Sequence, residues 1–159
     1  MTAITLDWQL KSHDQLSAND VYALLALRSA VFVVEQRCIF QDIDGLDLTH
    51  DTWHLLAWED GRLIGCLRMF DPSRHSGDVV IGRVATDASI RGSGIGHQLM
   101  ARALEYCAAS WPGFSMYLSA QSHLEAFYAK HGFVVVTDPY LEDDIPHVGM
   151  RRAGPKSTG

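Results

Sequence analysis

The chain has few cysteines, a deficit of positive charge and no long apolar run, and each of these features excludes a class of protein. Its three cysteines, Cys38, Cys66 and Cys107, are odd in number and widely separated, which favours reduced thiols over a disulfide framework. The formal net charge of −6 argues against a general nucleic-acid binder, which needs a basic face. The N-terminus lacks a basic segment followed by an apolar stretch, and no run reaches the length of a membrane span. We therefore expect a soluble, cytoplasmic protein with no membrane or nucleic-acid partner.

The size of the chain suits one folded domain. With 159 residues and 47% apolar content, it can bury one substantial core and is too short for two ordinary domains. We expect a single domain at residues 1–152 and a disordered tail at 153–159, where glycine, proline and small polar residues prevail. The sequence leaves open whether the chain is a monomer or a homodimer.

Hydrophobic periodicity and turn residues predict an order of helices and strands. The predicted elements are a strand at 4–9, a helix at 18–33, a hairpin of strands 53–58 and 63–70 turning at Asp60-Gly61, a strand at 79–86, a helix at 94–110, a strand at 114–120, a helix at 122–131, and strands at 133–137 and 147–152. This order predicts an α/β fold with helices layered on a mixed sheet.

A glycine-rich turn, Arg91-Gly92-Ser93-Gly94-Ile95-Gly96, joins the strand at 79–86 to the helix at 94–110. Glycines let the backbone bend tightly and direct several N–H groups to one point, where the helix dipole favours an anion. The dinucleotide pattern G-x-G-x-x-G fails because His97 occupies the third glycine position, and the P-loop ending G-K-[ST] is missing. The turn alone leaves open a glycine-rich connection that binds nothing.

Acidic residues fall in two clusters. Glu35 and four aspartates, Asp42, Asp44, Asp47 and Asp51, share a stretch whose only Lys or Arg is Arg37, and residues 142–144 form the second cluster. Residues 36–51, called the acidic loop below, are predicted to be a long functional loop or a short second helix. Acidity suits a cationic substrate, but charge alone predicts that both clusters are solvated loops.

Two motifs resemble signatures of one known superfamily. Arg91, Gly94 and Gly96 match the pyrophosphate-binding pattern of the Gcn5-related N-acetyltransferases (GNAT), and Phe127-Tyr128, Lys130 and Gly132-Phe133 resemble the second signature of that superfamily. Other segments are most similar to its ElaA-type subfamily: Val31–Gln36, Asp42–Asp47, Ile81–Val84, Ala120–His123 and Glu142–Met150. Asp144 departs from the usual glycine, and Gln121 replaces an Asn common in the wider family. The resemblance implies a GNAT-like layered fold with a central mixed, mostly antiparallel sheet flanked by helices.

The resemblance also implies that acetyl-CoA is the acetyl donor. It assigns the pyrophosphate to N–H groups of the turn, with Arg91 as an added side chain: Gly92, Ser93, Gly94, Ile95, Gly96 and His97. Lys130 is a candidate for a CoA phosphate, with an exposed helix lysine as the alternative, and Gln121 is added to this donor set. Val84 and Thr86 share one face of their strand by alternation, and the resemblance implies that main-chain groups there bind the pantetheine arm and polarise the thioester.

Candidate catalytic residues follow from the chemistry of acyl transfer. Tyr128 matches the family tyrosine that donates a proton to the departing thiolate: with a pKa of about 10, a tyrosine stays protonated at neutral pH and can donate to a thiolate whose conjugate acid has a pKa near 8.5. The alternative is a core tyrosine. A lysine-like amine must also lose a proton; the candidate bases are Glu35, His54, His123 and His147. Glu35 and His147 are chosen for substrate handling, with salt-bridge or loop-tethering roles as alternatives. No metal site is expected, because the pair His50 and His54 does not lie on a predicted helix.

These features together predict an acetyl-CoA-dependent N-acetyltransferase. The acetyl group would pass directly from the thioester to a primary amine, either a small cationic amine or a peptide amine. A non-catalytic acyl-CoA-binding or sensor domain is the alternative, and a nucleotide-binding module is a third hypothesis.

Overall fold

A computed structural model describes residues 5–75 and 77–154 of the chain, and the elements below belong to these residues. Ile4 of the predicted first strand and residues 155–159 of the predicted tail lie outside them. The elements in chain order are β1 (Asp7–Ser12), α1 (Ala18–Arg28), β2 (Thr52–Glu59), β3 (Arg62–His75), β4 (Asp78–Thr86), α2 (Ile95–Ser110), β5 (Ser115–Gln121), α3 (Glu125–Ala129), β6 (Val134–Val135), β7 (Tyr140–Glu142) and β8 (Ile145–Arg152).

The predicted order of elements is confirmed, with differences at their ends. The first helix continues beyond α1 as π-helical turns over Ser29–Glu35, and the last predicted helix is a short 3-10 turn at Ser122–Leu124 followed by α3. Strand β7 was not expected from the sequence because three residues carry too little periodicity. The hairpin turn is as predicted: Asp60 and Gly61 both have left-handed backbones, with φ of 48° and 78°, as a two-residue hairpin turn requires.

The sheet has mixed pairing and is mostly antiparallel, as predicted. Its strands hydrogen bond in the order β1-β2-β3-β4-β5-β8-β6, with β7 also paired to β8. Strand β8 pairs antiparallel with β5, β6 and β7, whereas β4 and β5 pair in parallel through three residues of each strand, Asp78–Val80 and Ser115–Tyr117. The residues of β4 that lead to the glycine turn come after this paired stretch.

The described residues fall into two compact units. The first runs to Met69 and resumes at Arg83–Leu99, and the second comprises Phe70–Gly82 and the chain from Met100 onward. One apolar core of the first unit is formed by Leu24, Leu27, Val31, Leu56, Leu63, Cys66 and Ala85. The second unit buries apolar residues of α2, β5 and β8, among them Ala103, Met116 and Met150. The assignment of the whole chain to a single domain stays a prediction.

Helix α1 begins where the sequence places a capping signal. The Ser17 hydroxyl accepts from the Asp20 N–H at 3.0 Å, and the Asp20 carboxylate accepts from the Ser17 N–H at 3.0 Å. This reciprocal capping box satisfies two N–H groups that the helix leaves unpaired. Over residues 5–75 and 77–154, no helix is long and apolar enough to cross a membrane, and Cys38, Cys66 and Cys107 are buried and form no disulfide.

Candidate active site

The glycine turn has the backbone geometry of an anion-binding loop. Gly92 and Gly94 are left-handed, with φ of 86° and 85°, and a Cβ at either position would meet no atom within 4 Å. Glycine is therefore explained here by backbone conformation and not by crowding. Helix α2 begins at Ile95, so the N–H groups of Ile95 and Gly96 belong to its first turn, for which the helix itself supplies no acceptor. These groups and the helix dipole favour an anion at this end of α2.

Arg91 joins the glycine turn to two other parts of the first unit. Its guanidinium donates to the main-chain carbonyl of Thr86 at 2.9 Å, and its Nη1 donates to the carboxylate of Glu35. Arg91 and Glu35 are 40% and 39% exposed. A residue expected to bind the donor and a residue expected to handle the acceptor are thus in direct contact.

In the acidic loop, aspartates are buried and aliphatic side chains are exposed, the opposite of an ordinary surface loop. Asp42, Asp47 and Asp51 are 6%, 7% and 3% exposed, whereas three aliphatic side chains, Ile39, Ile43 and Leu48, are 99%, 55% and 56% exposed. The prediction that this cluster is solvated is wrong. It holds for Glu142, Asp143 and Asp144, which are exposed.

Buried arginines explain why Asp42 and Asp47 lie inside. Arg28 of α1 is 1% exposed; its Nε lies 3.0 Å from an oxygen of Asp42 and its Nη1 lies 2.6 Å from Asp47. Arg68 of β3 contacts Asp44 at 2.8 Å and Asp47 at 3.0 Å. The loop is therefore anchored to a helix and to a strand by charge-assisted hydrogen bonds, the strong kind in a protein interior.

The arginines keep the carboxylates of Asp44 and Asp47 ionised. Burial alone would raise the pKa of Asp44, but hydrogen bonds from Arg68 and the Leu46 N–H lower it to about 2. Burial opposes ionisation of Asp47 too, and its contacts with Arg28 and Arg68 outweigh that effect and lower its pKa. The loop is held by charges that persist at neutral pH.

His54 of β2 supports the same loop from inside. It is 2% exposed, and its Nε2 lies 2.8 Å from the main-chain carbonyl of Asp47, which only accepts, so Nε2 carries the proton. Burial lowers the pKa of this imidazole and favours its neutral form. His54 is thus a structural support for the loop and is not exposed to an incoming amine. Among the described side chains, no three His, Cys, Asp or Glu residues are grouped as a metal site.

The lowered pKa of His54 predicts a loss of stability in mild acid. The folded protein binds fewer protons at His54 than the unfolded chain, so the free energy of unfolding rises with pH up to the unfolded pKa near 6.5 and falls below it. We expect urea titrations at pH values from about 7.5 down to about 5.5 to show that this group lowers the free energy of unfolding by at most about 1.4 kcal/mol per pH unit. His54→Gln should flatten that slope, while His123→Gln, at an exposed position, should not. An equal pH dependence in all three proteins would contradict this origin.

Tyr128 is a buried residue of the second unit. It lies on α3 between aromatic neighbours: its ring meets that of Phe127 edge to face at a centroid distance of 5.0 Å and that of Phe133 at 6.3 Å. Burial raises the pKa of its hydroxyl to about 12, so the group stays protonated throughout the neutral range. Lys130 follows α3 and is exposed.

His147 of β8 is buried and holds a carboxylate. Its Nδ1 lies 2.7 Å from the main-chain carbonyl of Ile145, and its Nε2 lies 3.2 Å from a carboxylate oxygen of Glu142. Both ring nitrogens therefore face oxygens of the protein and not an incoming amine. The ring also stacks on Tyr140 at 6.2 Å, and the Ser119 hydroxyl donates to Glu142 at 3.4 Å. His147 in this arrangement orients Glu142, which is half exposed.

Sequence reasoning did not identify Glu142, Tyr140 or Ser119 as members of this group. Gln121, half-buried at the end of β5, is the register partner of His147, which brings one predicted donor residue beside one predicted acceptor residue. The alternation of β5 and β8 would have indicated a shared face only if their register had been known.

The turn between β7 and β8 contains Asp143 and Asp144, which are both left-handed, with φ of 50° and 62°. Asp144, at the position where glycine is usual, therefore adopts the backbone conformation that a glycine would.

The layered sheet, the glycine turn at the start of α2 and the motif around Tyr128 together define an acyltransferase of the GNAT class. The sequence profile described as acetyltransferase (GNAT) domain matches residues 17–153, and the chain belongs to this family. The predicted superfamily and the resemblance to its ElaA-type subfamily are confirmed.

Two relatives are similar over nearly their whole length. Protein ElaA of Escherichia coli (strain K12) is 48% identical over 147 residues, which span 92% of this chain and 96% of ElaA. The crystal structure of Escherichia coli ElaA superposes with a TM-score of 0.88 and covers 93% of this chain and 99% of its own. An acyl-CoA N-acyltransferase from Pseudomonas aeruginosa is 58% identical, with a TM-score of 0.91 and coverage of 94% and 100%. Membership of this family supports acyl transfer from acyl-CoA.

Proposed function

We propose that this protein is an acetyl-CoA-dependent N-acetyltransferase that moves the acetyl group directly from the thioester to a primary amine. The observation that carries the proposal is the turn at 91–97, where two left-handed glycines lead into the first turn of α2. A diphosphate fits this geometry because it accepts several hydrogen bonds and favours the positive end of a helix dipole. The acceptor is a small cationic amine or a peptide amine, in keeping with the net charge of −6.

The donor is held by main-chain groups in this proposal. The N–H groups of residues 92–97 bind the pyrophosphate, and the Arg91 guanidinium adds a charged contact. Lys130 and Gln121 are proposed as further contacts to CoA. Main-chain groups at Val84 and Thr86, on the strand that feeds the turn, hold the pantetheine arm and polarise the thioester carbonyl.

The reaction is a direct nucleophilic substitution at the thioester carbon. The neutral amine nitrogen forms a bond to that carbon, and the carbonyl electrons move to oxygen. When the carbonyl re-forms, the C–S bond breaks and its electron pair leaves on sulfur. The amine releases one proton to a base, and Tyr128 hydrogen bonds to, and protonates, the thiolate. The products are an N-acetyl amide and CoA with a free thiol.

The acceptor side is proposed to use carboxylates. Glu35 at the end of the π-helical turns and Glu142, oriented by His147, are both at least partly exposed. An exposed carboxylate attracts a cationic amine before that amine loses its proton. His54 is excluded from direct proton transfer with substrate because it is buried.

The test follows thiol release from acetyl-CoA, and from longer acyl-CoAs, across a panel of polyamines, amino acids and short peptides. Mass spectrometry of the acceptor identifies the amide. The proposal expects acetylation of at least one amine and slower transfer of longer chains. Tight CoA binding without acylation of any amine would favour the sensor domain, and ATP or NAD that displaces CoA would favour a nucleotide-binding module.

Removing the charge of Glu35 should separate donor binding from acceptor binding. Because Glu35 competes with a CoA phosphate for Arg91, Glu35→Gln is expected to tighten CoA binding about two- to fivefold, the range for one exposed ion pair. The KM for the amine should rise in the same variant. Isothermal titration with CoA and steady-state kinetics measure the two effects.

The control for this variant is Glu105→Gln, an exposed carboxylate of α2 with no proposed role. It carries the same change in net charge, so a gain in CoA affinity from charge alone would appear in both proteins. Weaker CoA binding in Glu35→Gln would contradict competition and would mean that Glu35 directs Arg91 towards the phosphate.

A further inference from the structure

Arg83 has an unusual backbone conformation for a strand residue. It lies inside β4, yet its φ is 51°, in the left-handed region. This conformation costs a non-glycine residue roughly 1–2 kcal/mol, and glycine is the usual choice for it. Gly82 is the adjacent residue and is not left-handed. The chain therefore places an arginine at the strained position with a glycine next to it, which indicates that the arginine side chain is needed there.

The side chain of Arg83 is fixed by the acidic loop. Its Nε lies 2.9 Å from a carboxylate oxygen of Asp42, and its Nη2 donates to the Asp42 main-chain carbonyl and to the Asp44 carboxylate, each at 3.3 Å. Its guanidinium also lies over the Phe40 ring, 5.3 Å from the centroid. Asp42 and Asp44 are in turn held by Arg28 and Arg68. These contacts are numerous enough to hold the strained backbone in place.

The stretch that follows Arg83 is fixed at both ends. Arg83 holds its start through the acidic loop, and Arg91 holds its end by donating to the carbonyl of Thr86. A left-handed residue in a strand interrupts the pleat and redirects the residues after it, as in a β-bulge. The left-handed backbone of Arg83 therefore sets the direction of the main chain over Val84–Thr86.

We propose that Arg83 is a positioning residue for acyl transfer: its left-handed backbone, fixed by Asp42 and Asp44, aims the main chain of Val84–Thr86 at the pantetheine arm and thioester. This inference rests on the proposed function. It also means that the acidic loop, where the sequence suggested contact with a cationic substrate, aligns the acyl donor through its contacts with Arg83. Arg83 does not touch the reacting atoms in this scheme.

The decisive comparison is between Arg83→Ala and Arg83→Gly. Both remove the contacts to Asp42 and Asp44, but glycine adopts the left-handed backbone at no steric cost and alanine does not. We expect Arg83→Ala to lower kcat about tenfold or more, since misaligned reactants react slowly, and Arg83→Gly to recover several-fold of that loss. The affinity for CoA, measured by calorimetry, should stay within about twofold of wild type in both variants because the glycine turn is intact.

A second readout does not require turnover. In an amide NMR titration with CoA, wild type should show shifts at Val84–Thr86 and at residues 92–97, and Arg83→Ala should lose the first set and keep the second. Arg37→Ala and Arg37→Gly are matched controls, because Arg37 is an exposed left-handed arginine with φ of 54°; they should leave kinetics unchanged. Equal kcat in Arg83→Ala and Arg83→Gly, or loss of CoA affinity in step with kcat, would overturn the inference. Absence of turnover in wild type with any acyl-CoA would overturn the proposed function, while the NMR comparison would still decide the role of Arg83.

Discussion

Replacement of Arg28 by methionine is expected to lower the free energy of unfolding by about 3–5 kcal/mol, the range for breaking one side of a buried ion pair. Arg28 is 1% exposed and contacts Asp42 and Asp47, and its Nη2 also donates to the Asp42 carbonyl at 3.0 Å. Methionine fills similar space but leaves the two carboxylates in the interior with fewer partners. Denaturant unfolding at pH 7, followed by circular dichroism, measures the loss.

The pH dependence identifies the cause of that loss. Because the contact with Arg28 helps to lower the pKa of Asp47, its stabilisation is complete above the unfolded pKa of about 3.9 and disappears as the pH falls through the folded value. The difference between wild type and Arg28→Met should therefore shrink in acid below about pH 4. Adding Asp47→Asn to Arg28→Met should recover part of the loss. Arg62→Met is the control, since Arg62 is 58% exposed and lies 3.9 Å from Asp87; a comparable loss there would contradict the buried-pair explanation.

The same arginines show what the sequence could and could not predict. The capping box at Ser17, the Asp60-Gly61 turn and the glycine turn are local, because each needs only neighbouring residues to fix its conformation. The burial of Asp42 and Asp47 depends on arginines from α1 and β3, at separations of up to 21 residues in the hydrogen bonds concerned. Charge patterning treats such aspartates as solvated because it does not include partners across the fold.

A signal for the buried network was nevertheless present in the apolar segments. Arg28 follows Leu27 and lies four residues after Leu24, so it continues the buried face of α1, and Arg68 interrupts the run from Leu63 to Phe70. An arginine at a core-facing position requires a carboxylate nearby, and the acidic loop is the nearest rich source. The left-handed backbone of Arg83 had no comparable signal, because Gly82 beside it is the residue that the sequence would assign to a kink.

The two halves of the candidate site differed in predictability for a physical reason. The proposed donor half would use main-chain N–H groups, whose conformation is set by Gly92 and Gly94, and these glycines can be read directly. The proposed acceptor half would use side chains brought together by strand register, such as His147 with Glu142 and Tyr140. Register follows from tertiary packing, so His147 could be nominated by type while its partners could not.

Tyr128→Phe is expected to lower kcat about 100-fold or more while CoA binds with unchanged affinity, since a positioned acid contributes roughly 10²–10⁴ in rate. Burial raises the pKa of Tyr128 to about 12, well above that of a thiol at about 8.5. Complete proton transfer from Tyr128 to the free thiolate is therefore uphill. In the proposed reaction Tyr128 accordingly acts as a hydrogen-bond donor that stabilises charge as it develops on sulfur, and a proton that it passes to sulfur is replaced by the one that the amine releases.

The pH dependence of kcat and a matched control variant test that role of Tyr128. A tyrosine with this pKa stays protonated in the neutral range, so kcat should show no alkaline decline from Tyr128 below about pH 11, and any earlier limb must come from the amine or another group. Tyr106→Phe, on α2 and half-buried, should leave kcat unchanged and exclude a general effect of removing a hydroxyl. Single-turnover measurements should show slowed chemistry in Tyr128→Phe and an unfolding free energy close to wild type. Full single-turnover rate in that variant would remove Tyr128 from proton transfer and leave it as a core residue beside Phe127 and Phe133.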